Sequence, residues 1–219
     1  FAGFSAKSLS DRINDADCTI LITADGGFRG AKITPLKNIA DDAMQTTPSI
    51  TKCIVLERTK SKISMQSGRD VWWHSEMQKA NSDLPAEIMD AEAPLFILYT
   101  SGSTGKPKGI QHSTAGYMIY TEYSFRNVFQ YNEGDIYWCT ADIGWITGHS
   151  YIVYGPLLAG ATTMMFEGVP TYPDAGRFWK IVEENKVNIF YTAPTAIRAL
   201  EAKGMEFVNP YDLSSLKVL

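Results

Sequence analysis

Residues 100–109 read Thr-Ser-Gly-Ser-Thr-Gly-Lys-Pro-Lys-Gly, a run composed of the groups that hold phosphate. Glycines let a backbone turn tightly and bring its N–H groups up to oxygen atoms. Ser101, Ser103 and Thr104 add hydroxyl donors, and Lys106 and Lys108 add positive charge. The run is not a Walker A loop. Counting back from Gly105-Lys106 places Thr100 where the first glycine belongs. Pro107 stands where a magnesium-binding hydroxyl is due, and it has no N–H to donate. Phosphate is therefore held here in another way.

The elements that must position this loop follow from periodicity. Leu95 to Thr100 is a continuous apolar run, which predicts a central strand buried on both faces of a parallel sheet. Upstream, Ser5 to Ala16 has the spacing of an amphipathic helix with Ser5 or Ser8 as N-cap. A strand at Cys18 to Thr23, a glycine-rich loop at 24–30, a helix at Pro35 to Met44 and a strand at Cys53 to Leu56 follow. Glu57 to Gly68 is a polar excursion, and Asp70 to Asn81 is predicted helical with Trp72, Trp73 and Met77 packing. Downstream come helices at Thr114 to Gln130, Ser150 to Leu158, Asp174 to Asn185 and Thr195 to Lys203, with strands at Ile136 to Thr140, Ala161 to Phe166 and Val187 to Thr192. This alternation predicts a doubly wound, mostly parallel α/β sheet with ligand loops at the carboxyl ends of its strands.

Composition excludes several classes. The 219 residues are 45% hydrophobic, enough for a true core, and a net charge of −4 offers nucleic acid or an anionic membrane no attraction. No apolar run reaches the length of a transmembrane helix, and the first residues carry no basic leader. Cys18, Cys53 and Cys139 are widely spaced and odd in number, which predicts reduced thiols in a cytoplasmic protein and neither a disulfide framework nor a zinc site. The chain reads as cut at both ends, since Ser215 to Leu219 stops inside a strand pattern.

Taken whole, residues 100–109 resemble the phosphate loop of the adenylate-forming enzymes: acyl-CoA synthetases, luciferases and peptide-synthetase adenylation domains. Further stretches resemble the AMP-forming acetate–CoA ligases, the acetyl-CoA synthetase family, in particular. They are 23–30 (Thr-Ala-Asp-Gly-Gly-Phe-Arg-Gly), 68–73 (Gly-Arg-Asp-Val-Trp-Trp), 134–142, 144–151 (Gly-Trp-Ile-Thr-Gly-His-Ser-Tyr), 166–170 (Phe-Glu-Gly-Val-Pro) and 191–200. The resemblance spans the chain and makes residues 1–219 part of the AMP-binding N-terminal domain, without the lysine-bearing C-terminal domain.

That resemblance implies a reaction in two halves. A carboxylate attacks the α-phosphate of ATP and expels pyrophosphate; the thiol of coenzyme A then attacks the acyl-adenylate. Thr100, Ser101, Gly102, Ser103, Thr104, Gly105, Lys106 and Lys108 would hold ATP and its pyrophosphate, with Lys106 and Thr100 as the catalytic contacts and Mg2+ as counter-ion. Trp145, Ile146 and Thr147 would line the acyl pocket. Phe1, Ala2 and Gly3 would form the wall for the CoA adenine, Arg29 and Lys32 would meet its 3′-phosphate, and Ala193 would lie beside the pantetheine arm. Lys32 stands where the family often has arginine, and a solvated basic pair is the alternative for Arg29 and Lys32. His149 and His112 are expected to be packed and hydrogen-bonded rather than basic catalysts, since a carboxylate substrate is already ionised. Asp142 and Glu167 are too far apart in sequence to be read as a pair, and no protein metal site is expected.

The partners implied are acetate, ATP and CoA, with no nucleic acid and no membrane. Two alternatives stay open. One is a propionate or other short-chain acyl-CoA synthetase, against which Thr147 argues because propionate relatives tend to carry an apolar residue there. The other is a nucleotide-binding fragment with no turnover of its own, because the adenine, ribose and lysine segments of the family follow the stretch matched here.

Overall fold

The computed structural model describes residues 4–100 and 107–219. It divides into two compact units, one holding the residues up to Asp90 together with 95–111, the other holding Ala91–Pro94 and His112–Leu219. Phe1, Ala2, Gly3 and the loop residues Ser101, Gly102, Ser103, Thr104, Gly105 and Lys106 lie outside the described residues.

The first unit opens with α1 (Ala6–Asp15), where the Ser5 hydroxyl accepts from the Ser8 N–H, so of the two expected N-caps Ser5 is the one that forms. Strand β1 (Ile20–Ala24) is followed by the short hairpin β2 (Gly27–Arg29) and β3 (Lys32–Thr34). Helix α2 (Leu36–Met44) and strand β4 (Lys52–Leu56) come next. Strand β5 (Asp70–Trp72) then leads directly into α3 (Trp73–Lys79). β1, β4 and β5 form a parallel sheet in that order. Cys53 and Val55 alternate inward from β4 to pack with Ile13, Ala40, Met44 and Ile50.

Two expectations for residues 70–81 need correction. The helix predicted from Asp70 starts at Trp73 instead, because Asp70-Val71-Trp72 pairs alongside β4. A β-branched and an aromatic residue beside an open strand edge favour the ladder over another helical turn. The packing expected of Trp73 and Met77 is also absent: they are 36% and 54% exposed, while Trp72 packs against the core.

Strand β6 (Pro94–Thr100) is neither central nor buried on both faces. It pairs with β7 (Lys108–Ser113) as a two-stranded sheet, and none of its residues is fully buried. β7 is the next strand along the chain, and closing a short loop costs little entropy compared with reaching a distant sheet. An apolar run shows that a strand has surface to cover but not what covers it.

The second unit holds α4 (Thr114–Val128), β8 (Ile136–Cys139), α5 (Ile146–Gly148), a π-helical stretch at His149–Tyr154, α6 (Gly155–Leu158), β9 (Thr162–Met164), α7 (Arg177–Asn185), β10 (Ile189–Tyr191), α8 (Pro194–Glu201) and a 3-10 turn at Met205–Phe207. Its parallel sheet runs β10-β8-β9. Here β8 is the strand covered on both sides. Trp138 packs among Phe178, Val182 and Phe190, while Tyr137 and Cys139 pack among Phe125, Phe129 and Ile152. Helices therefore cover both faces of this sheet, as the alternating pattern predicted. Ser215–Leu219 contributes one parallel bridge, Val218 to Ile189, beside β10. The predicted helix at Ser150 to Leu158 is π-helical in its first part, and such stretches recur at functional sites.

Candidate active site

The candidate residues of the first unit sit on a hairpin and at the ends of a strand pair. Thr100 closes β6 and Lys108 opens β7, both exposed. Tyr99, one residue before Thr100, donates its hydroxyl to Asp15 Oδ2 at 2.5 Å. Its ring lies 5.8 Å from the Arg12 guanidinium, which also covers Phe4 at 4.3 Å. Burial, then the hydrogen bond to the Asp15 carboxylate, pushes the Tyr99 hydroxyl up to about 12. The end of β6 is thereby latched to α1.

Arg29 and Lys32 are brought together. The hairpin register sets them directly opposite one another across the two-residue loop Gly30-Ala31, both exposed. Gly30 takes φ 59°, a conformation open to glycine at the first position of such a loop. On the other face Phe28 lies opposite Ile33, and the Arg58 guanidinium covers the Phe28 ring at 4.8 Å.

The base of this hairpin is Asp25, which sequence reading passed over. Its side chain is fully buried and accepts backbone N–H bonds from Gly26, Arg58, Thr59 and Ser61 at 2.8–2.9 Å. Burial works to raise its pKa, but the four amides outweigh it and hold the carboxyl at about 2. A second missed cluster joins α2 to β5. Lys37, 1% exposed, is held by Asp41 at 2.6 Å, Asp70 at 2.9 Å and the Ser64 carbonyl at 2.9 Å. Arg69 pairs with Asp41 at 2.8 Å and Asp70 at 2.6 Å. The spacing of Lys37 and Asp41 was visible as an i, i+4 pair, but nothing local showed that it would be buried.

In the second unit the candidates lie on loops at the carboxyl ends of the parallel strands. After β8, Asp142 forms a turn in which Oδ1 accepts from the Gly144 N–H at 2.8 Å and the main-chain carbonyl from Trp145 N–H at 3.1 Å. Helix α5 then packs so tightly on the turn that a Cβ on Gly148 would stand 2.5 Å from the Asp142 carbonyl oxygen. Trp145, Ile146 and Thr147 are thus presented together, Trp145 and Ile146 being 47% and 41% exposed. His149 Nδ1 lies 3.1 Å from the Trp145 carbonyl, as a packed histidine would, and His112 lies edge-on to Tyr117 at 4.8 Å.

Ala193 caps α8 after β10, with Pro194 at the first helical position. The Thr140 and Thr192 hydroxyls meet at 2.5 Å and tie the end of β8 to the end of β10. A cleft of about 460 Å³ opens beside these loops, lined by 140–143, Ile152 and 165–168, so Asp142 and Glu167 share one lining although they are distant in sequence. Trp145, Ile146 and Thr147 are not in that lining. Among the described residues, no group of three His, Cys, Asp or Glu side chains could hold a metal ion, and no helix is long and apolar enough to cross a membrane.

The fold defines an α/β protein whose candidate residues occupy loops at the carboxyl ends of parallel strands, together with a hairpin bearing opposed cations. The family described as "AMP-binding enzyme" matches residues 1–219, and the chain belongs to that family. It is 58% identical to "Acetyl-coenzyme A synthetase 2" of Pseudomonas aeruginosa and 57% identical to the proteins named "Acetyl-coenzyme A synthetase" of Desulfatibacillum aliphaticivorans and Halorhodospira halophila. Each match covers 100% of this chain and 34% of the relative, so the chain spans about a third of the length of these curated relatives.

Proposed function

We propose that residues 1–219 are part of the AMP-binding N-terminal domain of a cytoplasmic acetate–CoA ligase, which converts acetate, MgATP and coenzyme A to acetyl-CoA, AMP and pyrophosphate. The observation that carries this reading is the opposed pair Arg29 and Lys32 on an exposed hairpin, in a chain 57–58% identical along its whole length to proteins named for acetyl-CoA synthesis. An exposed pair of like charges has a use when its ligand is an anion, and the 3′-phosphate of coenzyme A is one.

In the first half-reaction the acetate carboxylate attacks the α-phosphorus of ATP and pyrophosphate leaves. No protein base is needed, since the nucleophile is already ionised. Residues 100–108 neutralise the charge that grows on the leaving group, and Lys106 is the main cation; preorganised charge of this kind lowers barriers where charge develops. Magnesium arrives with the nucleotide as part of the substrate. Trp145, Ile146 and Thr147 exclude water around the methyl group and set acyl size. In the second half-reaction the CoA thiol displaces AMP from the acyl carbon. Arg29 and Lys32 hold the 3′-phosphate, Ala193 flanks the pantetheine arm, and Phe1, Ala2 and Gly3 face the adenine.

The test is product analysis with the full-length protein. Acetate, ATP and CoA should yield acetyl-CoA with equimolar AMP and pyrophosphate. Formation of ADP and phosphate, or a faster reaction with propionate than with acetate, would contradict the reading.

A further inference from the structure

Each strand of the β2–β3 hairpin is three residues long, and its exposed tip carries two cations opposite each other. A two-stranded ribbon of that size is marginal by itself. Something else must hold Arg29 and Lys32 in place before a ligand arrives. What stands at the hairpin's base is a buried, charged side chain bonded to main chain on two segments. Asp25 Oδ1 accepts from the N–H groups of Gly26, Arg58 and Thr59 at 2.8, 2.8 and 2.9 Å, and Oδ2 accepts from Thr59 at 3.2 Å and Ser61 at 2.8 Å.

The main chain of Asp25 is also engaged. Its N–H donates to the Leu56 carbonyl at 2.9 Å, extending the β1–β4 pairing by one step, and its carbonyl accepts from the Lys37 N–H at 3.5 Å at the start of α2. Two routes then run from the carboxylate to the hairpin tip. One is direct, through Gly26 into β2. The other passes through Arg58, whose N–H Asp25 holds and whose guanidinium covers Phe28, the residue next to Arg29. Both routes lie within one compact unit.

We propose that Asp25 is the positioning residue of the coenzyme A phosphate contact: by binding residues 26 and 58–61 to one carboxylate, it fixes the hairpin so that Arg29 and Lys32 are aimed as a pair before CoA binds. This rests on the reading of that hairpin as the 3′-phosphate contact. Asp25 itself touches no substrate. Its effect is expected on CoA recognition and not on the bond-making steps, because losing an interaction made equally in the ground and transition states raises KM and leaves kcat unchanged.

The experiment uses the full-length protein and its Asp25→Asn, Asp25→Glu and Arg29→Ala variants. Asparagine keeps one acceptor oxygen but turns an NH2 group toward N–H donors, so it loosens the 58–61 side. Asp25→Asn should raise the KM for CoA about tenfold and change kcat by less than about twofold. It should also shrink the preference for CoA over 3′-dephospho-CoA in the same direction as Arg29→Ala. In the Arg29→Ala background Asp25→Asn should weaken CoA by less than it does in the parent, since only Lys32 remains to be misplaced.

If melting shows that Asp25→Asn does not fold, Asp25→Glu carries the test, with an expected rise of about threefold in the KM for CoA and the same loss of preference. An unchanged KM for CoA in a folded Asp25 variant, beside an Arg29→Ala variant that raises it, overturns the positioning role and leaves the CoA reading standing. An Arg29→Ala variant with unaltered KM and preference overturns the CoA reading of the hairpin and the proposal with it.

Discussion

The Lys37 ammonium lies 2.9 Å from the Asp70 carboxylate with both side chains shut off from water, and this contact joins α2 to β5. Arg69 pairs with Asp70 from a second direction, and Asp41 receives both cations. A buried charge network persists only when each member is paired, because an uncompensated buried charge is far costlier than a lost surface pair. Lys37→Met should therefore lower the unfolding free energy by about 3 kcal/mol, and a urea titration measures it. A change of less than about 0.5 kcal/mol would mean that Arg69 alone satisfies Asp70.

Acid should unfold the protein through two carboxylates. Asp25 and Asp70 are both held at about 2 in the folded chain, below the ordinary 3.8. Burial opposes the shift at each; backbone amides outweigh it at Asp25, and Arg69, the Gln66 amide and Lys37 at Asp70. A depressed carboxyl stabilises the fold above its unfolded value and loses that contribution as pH falls through the folded one. The loss belongs between about pH 4 and pH 2. Denaturation midpoints across that window should flatten in Asp25→Asn and Asp70→Asn, and slopes identical to the parent would refute the assignment.

Gly148→Ala should behave opposite to the usual helix rule. Alanine in place of a helical glycine ordinarily stabilises by about 1 kcal/mol. Here the new methyl would meet the Asp142 carbonyl oxygen at 2.5 Å and the Ile143 Cα at 2.6 Å, and backbone cannot move aside cheaply. The variant should lose stability and show a raised KM for acetate, because the turn carrying Trp145, Ile146 and Thr147 shifts. A gain in melting temperature with unaltered KM would show that the turn has slack.

The isolated 219-residue chain should self-associate and show no adenylation. β1 is an edge strand with Ile20 and Ile22 55% and 61% exposed, and edges of that kind invite pairing. Size-exclusion chromatography giving a sharp monomer, or acetate-dependent turnover by this chain alone, would contradict it.

Much of the fold was legible from local pattern. Ser5 and Ser8 both stood as candidate caps for α1, of which Ser5 serves, and the alternation of strands and helices pointed to parallel sheets. Where pairing partners decide, the sequence was silent. Val71 and Trp72 fit a helix or a strand until β4 offers an edge, and the apolar run before Thr100 did not reveal that β7 would be its partner. In the site, Arg29 and Lys32 were visible as cations, and their register across Gly30-Ala31 came only with the structure. Asp25 looked like an ordinary turn residue beside two glycines. Its role depends on amides more than thirty positions away, and no local pattern records that.

Acetate activation on residues 100–108 is put to the test by acetate-dependent exchange of pyrophosphate into ATP in the full-length protein. Exchange should require acetate and fall about 10²–10³-fold in Lys106→Ala, while acetyl transfer from supplied acetyl-adenylate to CoA slows far less. Exchange independent of acetate, or equal slowing of both half-reactions by Lys106→Ala, would contradict it.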